Sequence, residues 1–198
     1  MNPPILEMPE TTFKIKTTLP VDGPLCLNLG GVGEGFLDGR IPGFLTVDLR
    51  DSEQTDVISD ISNLSWTGIE TVDKIYCSNA LEHFHIWKTL DVLKEWYRVL
   101  KKGGRMFISV PDFDAVVKLY LKFGLTDWVK YIVWGDQKGP LNYHYINFTY
   151  PTLSALMIDA GFRDVKRVLK FPFGVRDASM HRDCLMNMPV SLNVEVLK

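Results

Sequence analysis

The chain has 198 residues, of which 46% are hydrophobic and 12% aromatic, a composition typical of one packed domain. Its 22 basic and 24 acidic residues nearly balance, so no basic field favours nucleic acid or an anionic lipid surface as a partner. No stretch approaches the roughly 20 apolar residues of a membrane span, and the N-terminus lacks a basic segment followed by an apolar run. These features predict a cytoplasmic protein without membrane insertion.

Cysteine usage agrees with this prediction. Cys26, Cys77 and Cys184 are odd in number and far apart. We interpret them as small hydrophobic residues in a reducing compartment, and not as a disulfide framework or a zinc site.

Short apolar runs predict the strands of one sheet. Residues 1–22 are rich in Pro and Thr and are predicted to form an N-terminal arm, followed by a single domain over residues 23–198. Apolar runs of strand length then occupy residues 24–30, 43–49, 55–61, 72–79 and 104–112. Closely spaced runs of this kind are typical of a buried parallel sheet.

Helical patterns lie between some of these runs. In the helix before the fifth run, one apolar face is predicted from residues at three- and four-residue intervals, namely Ile86, Leu90, Leu93, Tyr97 and Leu100. Lys101 and Lys102 suit the negative end of the helix dipole, and Gly103 suits a left-handed cap.

The second half of the chain predicts three further helices and two strands. Two helices are predicted within residues 113–134 and one within 149–162, where a Thr cap and Pro151 mark the start. Residues 163–171 and 190–198 resemble strands with no helix between them. Strand–helix alternation indicates an α/β fold, and the last two strands indicate an antiparallel pair at one edge of the sheet.

A glycine-rich stretch follows the first predicted strand. Residues 27–35 read LNLGGVGEG, but Val32 and Phe36 break the dinucleotide pattern G-x-G-x-x-G from Gly30 and Gly31, respectively. Small residues at the end of a strand let the backbone approach a ligand closely. The stretch therefore indicates a nucleotide site, with a flexible turn as the structural alternative.

Acidic residues end the next two runs. Asp48 lies 18 residues after Gly30, where a carboxylate can accept hydrogen bonds from both ribose hydroxyls of NAD or S-adenosylmethionine. Asp60 follows twelve residues later and can reach an adenine amino group, while Ile61 can pack on the ring. The alternatives are a turn residue at Asp48 and a helix cap at Asp60.

The segment after the fourth run carries a family resemblance. Leu81–Phe84 reads LEHF, Arg98–Lys101 reads RVLK before Gly103 and Gly104, and Ser109–Pro111 reads SVP. This block resembles the fourth motif and the following helix and strand of class I S-adenosylmethionine-dependent methyltransferases. With LNLG at 27–30, Tyr143-His144 and SLNVEVLK at 191–198, the chain is similar to type 11-like methyltransferases associated with glycan biosynthesis.

The resemblance implies a three-layer α/β/α Rossmann-like fold, with a seven-stranded, mostly parallel sheet and an antiparallel C-terminal strand. It implies S-adenosyl-L-methionine as cofactor and a small-molecule or sugar-type acceptor. Two residues depart from the usual acid-x-Gly-x-Gly-x-Gly loop, since Asn28 replaces the acid and Val32 a glycine. The predicted cofactor-binding residues are Asn28, Gly30, Gly31, Asp48, Leu49, Asp60, Ile61, Ser78, Asn79 and His83.

Methyl transfer to an oxygen usually needs a base near the carboxyl ends of the strands. His144, in an aromatic loop, is the first candidate, with a structural histidine as the alternative. Asp112 directly follows the fifth run and can act as a base or cap the next helix.

His83 is predicted to frame the cofactor pocket, oriented by Glu82. A metal site at His83 and His85 lacks a convincing third ligand in the sequence, so no metal is predicted.

An aromatic-rich segment follows the fifth run. Its side chains can stack on a sugar or pack in a core, and they comprise Trp128, Tyr131, Trp134, Tyr143, Tyr145, Phe148 and Tyr150. Residues 113–150 are longer than a simple crossover connection and are predicted to cover the acceptor site.

The leading functional prediction is an O-methyltransferase, and the alternative is a catalytically silent binding module. A nicotinamide-dependent oxidoreductase is disfavoured because the chain lacks G-x-G-x-x-G and Tyr-x-x-x-Lys.

Overall fold

A computed structural model describes residues 13–32, 40–174, 178–183 and 186–198. Within these residues the strands are β1 Lys14–Ile15, β2 Cys26–Leu29, β3 Leu45–Asp48, β4 Val57–Ile58, β5 Val72–Ser78, β6 Leu100–Pro111, β7 Arg163–Val168 and β8 Ser191–Leu197. The α-helices are α1 Ile86–Val99, α2 Phe113–Phe123, α3 Asp127–Trp134 and α4 Tyr150–Asp159. No helix in this described part has the length and apolar composition needed to cross a membrane.

The strands form one sheet in the order β1-β4-β3-β2-β5-β6-β8-β7. Strands β4, β3, β2, β5 and β6 run parallel, and β8 lies antiparallel between β6 and β7. The α/β fold and the antiparallel C-terminal strand are therefore confirmed. The described sheet has eight strands and not seven, because Lys14 and Ile15 of the predicted arm pair with Ile58 and Val57 of β4.

The two faces of the sheet are covered differently. On one face, Ile75 and Cys77 belong to the main core with buried residues of α1 and α4. The intervening Tyr76 points to the opposite face, because successive strand residues alternate. There a second cluster, the aromatic cluster, combines Tyr76 and Phe107 with residues of two loops, namely Ile41, Phe44, Phe171 and Phe173.

The buried face of helix α1 overlaps the predicted one but is shifted around the helix axis, since Leu93 is fully buried and Leu90 and Tyr97 pack against the main core. Ile86 is 61% exposed, whereas the buried residues are Thr89, Val92, Leu93, Trp96 and Val99. Trp96 is fully buried and its Nε1 donates to the Ile61 carbonyl at 2.7 Å. Burying this large side chain with its N–H satisfied shifts the buried face toward Trp96 and leaves only Ile86 of the predicted residues exposed.

The end of α1 also differs from the prediction. The helix ends at Val99, and Leu100 is already extended and pairs with Val72 of β5. Gly103 does adopt a positive φ of 79°, but it lies within β6 and caps no helix. The register shifts here, because the next pair joins Lys74 to Arg105. Residues 101–104 thus form an irregularity in the strand.

Candidate active site

Most of the predicted site residues meet at one edge of the sheet. The carboxyl ends of parallel strands face the same way, so the residues that end or follow them lie along a common edge. This edge carries Gly30 and Gly31 after β2, Asp48 and Leu49 at β3, Asp60 and Ile61 after β4, Ser78 and Asn79 at β5, and Asp112 after β6. Asn28 is the exception, because it lies within β2.

The turn after β2 requires its glycines. Gly30 has a φ of 69°, and a Cβ built there would lie 2.8 Å from the Cβ of Ala80. A Cβ on Gly31 would lie 2.1 Å from Nδ2 of Asn28, so the buried Asn28 amide fills the space beneath the turn. Gly33 and Gly35, which complete the glycine-rich stretch, lie outside the described residues.

Asp48 is buried and engaged by a cation. Its carboxylate accepts from Arg50 at both oxygens, with Nε at 2.9 Å from Oδ1 and Nη2 at 3.0 Å from Oδ2. The backbone N–H of Val32 donates to Oδ2 at 3.2 Å. The predicted ribose acceptor therefore already holds a bidentate partner. Arg50 was not predicted as a site residue, although its place two residues after a strand-ending acid was a signal for this pairing.

The segment after β4 packs against the glycine turn. Asp60 does not cap a helix, because its Oδ1 accepts from Ser62 N at 2.8 Å and closes a turn. Ile61 is 8% exposed, and its Cδ1 lies 3.7 Å from the position of a Cβ on Gly30. The geometry thus places Ile61 in the core and beside the turn.

Unsatisfied polar atoms mark the ends of β5 and β6. Asn79 has a φ of 49°, and its N–H donates to the Ser109 carbonyl at 2.9 Å. Oδ1 of Asn79 and Oγ of Ser78 and Ser109 are buried, with no hydrogen-bond partner among the described residues. Buried polar atoms of this kind carry a desolvation cost, so they suit contact with a polar ligand or water.

Asp112 has a structural role in this arrangement. Its Oδ1 accepts from Asp114 N at 3.1 Å and caps α2, as one of the two sequence interpretations expected. Its Oδ2 accepts from Arg167 Nη2 at 2.6 Å, and the residue is only 3% exposed. Both carboxylate oxygens are therefore engaged.

Three titratable side chains gather beside this edge. Glu82 and His83 belong to a short 3₁₀ turn after β5, and His144 lies in the loop between α3 and α4. The two imidazole rings are 4.9 Å apart, edge to face. One nitrogen or oxygen atom from each of the three residues lies within 4.8 Å of the others. The structure thus brings His83 to His144 and Glu82, not to His85. We call these three residues the Glu-His-His cluster.

Hydrogen bonds fix the orientation of both histidines. Nδ1 of His83 lies 2.9 Å from the Tyr143 carbonyl oxygen, and Nδ1 of His144 lies 2.8 Å from that of Ile132. Because a carbonyl oxygen only accepts, each Nδ1 carries a hydrogen and donates it. The lone pair of each neutral imidazole is therefore on Nε2.

Burial dominates the electrostatics of the cluster. Desolvation, helped by the nearby His83, lowers the pKa of His144 to about 4. Desolvation also lowers the pKa of His83. The fully buried Glu82 carboxyl has its pKa raised to about 8 by the same cause. Both histidines are therefore neutral near pH 7.

Aromatic rings line the solvent side of this region. His85 stacks on Trp87 with centroids 5.0 Å apart and contacts Tyr145 at 4.1 Å. Tyr143 stacks on Tyr145 in turn, at 6.2 Å. All four side chains are exposed, Trp87 by 71%. We call them the aromatic row. Phe148, by contrast, is buried in the main core.

Comparison with known proteins agrees with this architecture. A family model described as a methyltransferase domain matches residues 42–108, about a third of the chain. A search of curated protein sequences finds no match. Solved structures, however, match almost the whole chain.

An S-adenosylmethionine-dependent methyltransferase from Archaeoglobus fulgidus has a TM-score of 0.56 at 15% identity, covering 88% of this chain and 86% of that one. One from Methanosarcina mazei has a TM-score of 0.54 at 17% identity, covering 91% and 94%. A Burkholderia thailandensis N-methyltransferase with bound 1,6-didemethyltoxoflavin and S-adenosylhomocysteine has a TM-score of 0.53 at 19% identity, covering 88% and 71%. The chain therefore has the fold of S-adenosylmethionine-dependent methyltransferases, and residues 42–108 within it match the methyltransferase-domain family model.

Proposed function

We propose that this protein binds S-adenosyl-L-methionine at the carboxyl edge of the sheet and methylates a hydroxyl group of a small-molecule or glycan-type acceptor. The observation that carries the proposal is the edge itself. There a glycine turn, a buried acid and unsatisfied buried polar atoms meet in a methyltransferase fold. When bound, the cofactor supplies an electrophilic methyl group on a sulfonium.

The residues of the edge fit such a cofactor. The turn at Gly30 and Gly31 lets a ligand approach the backbone closely, because neither position tolerates a Cβ. Oδ1 of Asn79 and Oγ of Ser78 are buried acceptors without a partner in the described structure. We assign Asp48 to the ribose hydroxyls, which requires the Arg50 guanidinium to release one or both carboxylate oxygens.

The aromatic row supports an acceptor with a flat apolar face, such as a sugar ring. Its rings are exposed and adjoin the Glu-His-His cluster through the chain neighbours His83–His85 and Tyr143–Tyr145. Residues 113–150 supply two of these rings and also the carbonyls of Ile132 and Tyr143 that orient the histidines. We therefore assign this segment to the acceptor site.

His144 is the proposed proton acceptor. Its Nε2 carries the lone pair and its neutral form predominates near pH 7, so it can take a proton from an acceptor hydroxyl as the methyl group transfers. Asp112, the second candidate, has both oxygens engaged by the α2 N-terminus and Arg167. The geometry favours His144 over Asp112.

Calorimetric titration with S-adenosylmethionine and S-adenosylhomocysteine tests the cofactor site. We expect saturable binding by the intact protein, at least a tenfold weaker affinity in Asp48→Asn, and unchanged affinity in Asp91→Asn, a matched substitution on the exposed side of α1. Circular dichroism checks that both variants are folded. Equal affinity in all three proteins would overturn the assignment of Asp48.

The proton acceptor is tested separately. His144→Gln is expected to lower kcat about 10²- to 10⁴-fold with a hydroxyl acceptor while leaving cofactor affinity unchanged. His181→Gln, at a histidine that is not part of the Glu-His-His cluster, is the control. A silent binding module is the competing function, favoured by the pairing of Asp48 with Arg50. Cofactor binding without turnover across a panel of sugar and small-molecule acceptors would support that alternative.

A further inference from the structure

Glu82 is an unusual carboxylate for a protein interior. The residue has no exposed surface, and neither carboxylate oxygen has a hydrogen-bond partner among the described residues. Among these residues, no charged group contributes to its raised pKa, which arises from desolvation. A buried carboxyl group either stays protonated, as the raised pKa indicates for Glu82 near pH 7, or gives up its proton beside a cation or a metal ion. The described protein supplies no such cation, so an external one is a natural partner.

The two histidines that adjoin Glu82 are arranged as metal ligands usually are. Each donates its Nδ1 hydrogen to a backbone carbonyl, at 2.9 Å for His83 and 2.8 Å for His144. Such outer hydrogen bonds fix the tautomer and the ring orientation, and they raise the basicity of the free nitrogen. Both rings are neutral and are held from two separate parts of the chain, and the Asn79 carbonyl lies within hydrogen-bonding reach of the His83 ring as well.

We infer that Glu82, His83 and His144 bind a divalent transition-metal ion. Two imidazoles and one carboxylate form a ligand set that suits Zn²⁺ and related ions, whereas Mg²⁺ and Ca²⁺ prefer oxygen ligands alone. Metal–ligand bonds of about 2.0–2.2 Å hold ligand atoms about 3–4 Å apart. The candidate ligand atoms lie within 4.8 Å of one another, so the cluster closes around an ion if the widest separations shrink by about 1–2 Å.

Three protein ligands leave at least one coordination position for water or for an oxygen of an acceptor. The three ligands are not among the residues assigned to the cofactor under the proposed function, although His83 adjoins Asn79, whose carbonyl reaches its ring. Metal binding can therefore be measured without the proposed methyl transfer. It does compete with one assigned role, because a single lone pair on Nε2 of His144 cannot bind a metal ion and accept a proton at once. The His144→Gln kinetics above therefore refer to metal-free protein.

The test uses chelator-treated, metal-free full-length protein without cofactor or acceptor. We expect calorimetric titration with Zn²⁺ to show one site per chain, and Co²⁺ to give the visible absorption of a nitrogen- and oxygen-ligated ion. Glu82→Gln and His83→Gln are each expected to weaken Zn²⁺ binding about a hundredfold or more, since even outer-shell changes cost about 10- to 100-fold. His85→Gln, at the exposed N-cap of α1 two residues after His83, is the matched control and is expected to bind like the parent.

Several outcomes would overturn the inference. These are no saturable Zn²⁺ binding to the metal-free parent protein, equal affinity in the parent and Glu82→Gln, or a loss of binding in His85→Gln alone. A thiolate-to-cobalt charge-transfer band would place the ion on a cysteine instead. Because the parent titration and the Co²⁺ spectrum need no variant, poor folding of a substituted protein leaves the test decisive. Binding of S-adenosylhomocysteine, measured on the same samples, reports separately on the cofactor site.

Discussion

Two glycines allow the effect of a steric clash on stability to be separated from the effect of an unfavourable backbone conformation. Gly30 and Gly43 both have positive φ, at 69° and 81°. A Cβ on Gly30 would clash with Ala80, whereas a Cβ on Gly43 would meet no atom within 4 Å. The two glycines therefore form a natural pair for experiment.

Gly43→Ala is expected to lower the free energy of unfolding by about 1–2 kcal/mol, the cost of a left-handed conformation for a residue with a Cβ. Gly30→Ala should lose that amount plus about 1–3 kcal/mol for the close contact with Ala80. Urea unfolding at pH 7 measures both. Equal losses in the two variants would show that the turn after β2 relaxes without resistance from Ala80.

For single residues, the sequence predicted which side chains lie at the strand ends but not which other side chains they bind. The positions of Gly30, Asp48 and Asn79 at strand ends follow from apolar runs and their boundaries, because the period of a strand is visible locally. The pairing of Asp48 with Arg50 and of Asp112 with Arg167 was not predicted. Nothing in a local pattern specifies which arginine reaches an acid 55 residues away.

Helix α1 holds residues 61–64, the loop that packs against the glycine turn, through hydrogen bonds. Besides the bond from Trp96 to Ile61, the Glu95 carboxylate accepts from Leu64 N at 2.8 Å and pairs with Arg98 Nε at 2.6 Å. The Arg98 hydrogen bond lowers the pKa of Glu95. The segment that places Ile61 beside Gly30 is thus held by two consecutive residues of one helix.

Glu95→Gln is expected to lower the free energy of unfolding by about 1–2 kcal/mol at pH 7. Since the pKa of Glu95 is lower in the folded state, its contribution is present above the unfolded pKa and is lost as pH falls through the folded value. The difference between parent and variant should therefore shrink in acid. Denaturant unfolding from pH 7 down to pH 3 measures it, with the exposed Asp91→Asn as control. A difference that stays constant with pH would refute the charge-based explanation.

The phase of α1 shows why elements were easier to predict than their faces. Spacing alone favoured a stripe through Ile86, but packing buried Trp96 because its N–H could reach the Ile61 carbonyl. That partner lies 35 residues away in the chain. The sequence within the helix was enough to predict that it forms. Which side of it is buried depended on contacts with residues distant in the chain.

For the whole molecule, the last strand, β8, lies inside the sheet next to its β7 edge. Strand β8 pairs with both β6 and β7, and its residues Leu192, Val194 and Val196 are buried in the main core. The sequence predicted this antiparallel pair correctly. It did not predict β1, since a two-residue strand has too little pattern to detect.

Leu192→Ala is expected to lower the free energy of unfolding by about 2–5 kcal/mol, because it removes fully buried methyl groups and leaves a cavity. The matched control is Leu169→Ala, at a leucine that is 91% exposed, which should change stability by no more than about 0.5 kcal/mol. Thermal and urea unfolding measure both. Similar losses at the two sites would mean that β8 contributes little to the cooperative core.

The aromatic cluster on the second face has a consequence for the order of folding. Its members come from residues 41–44, from β5 and β6, and from residues 168–173, so the contacts between these segments close long loops, whereas contacts such as Phe171–Phe173 are local. The rings can meet only after β5 and β6 have paired, because those strands supply the surface on which the loops rest. Helix-covered amides should therefore be protected from hydrogen exchange earliest during refolding, and the loops around Phe44 and Phe171 latest.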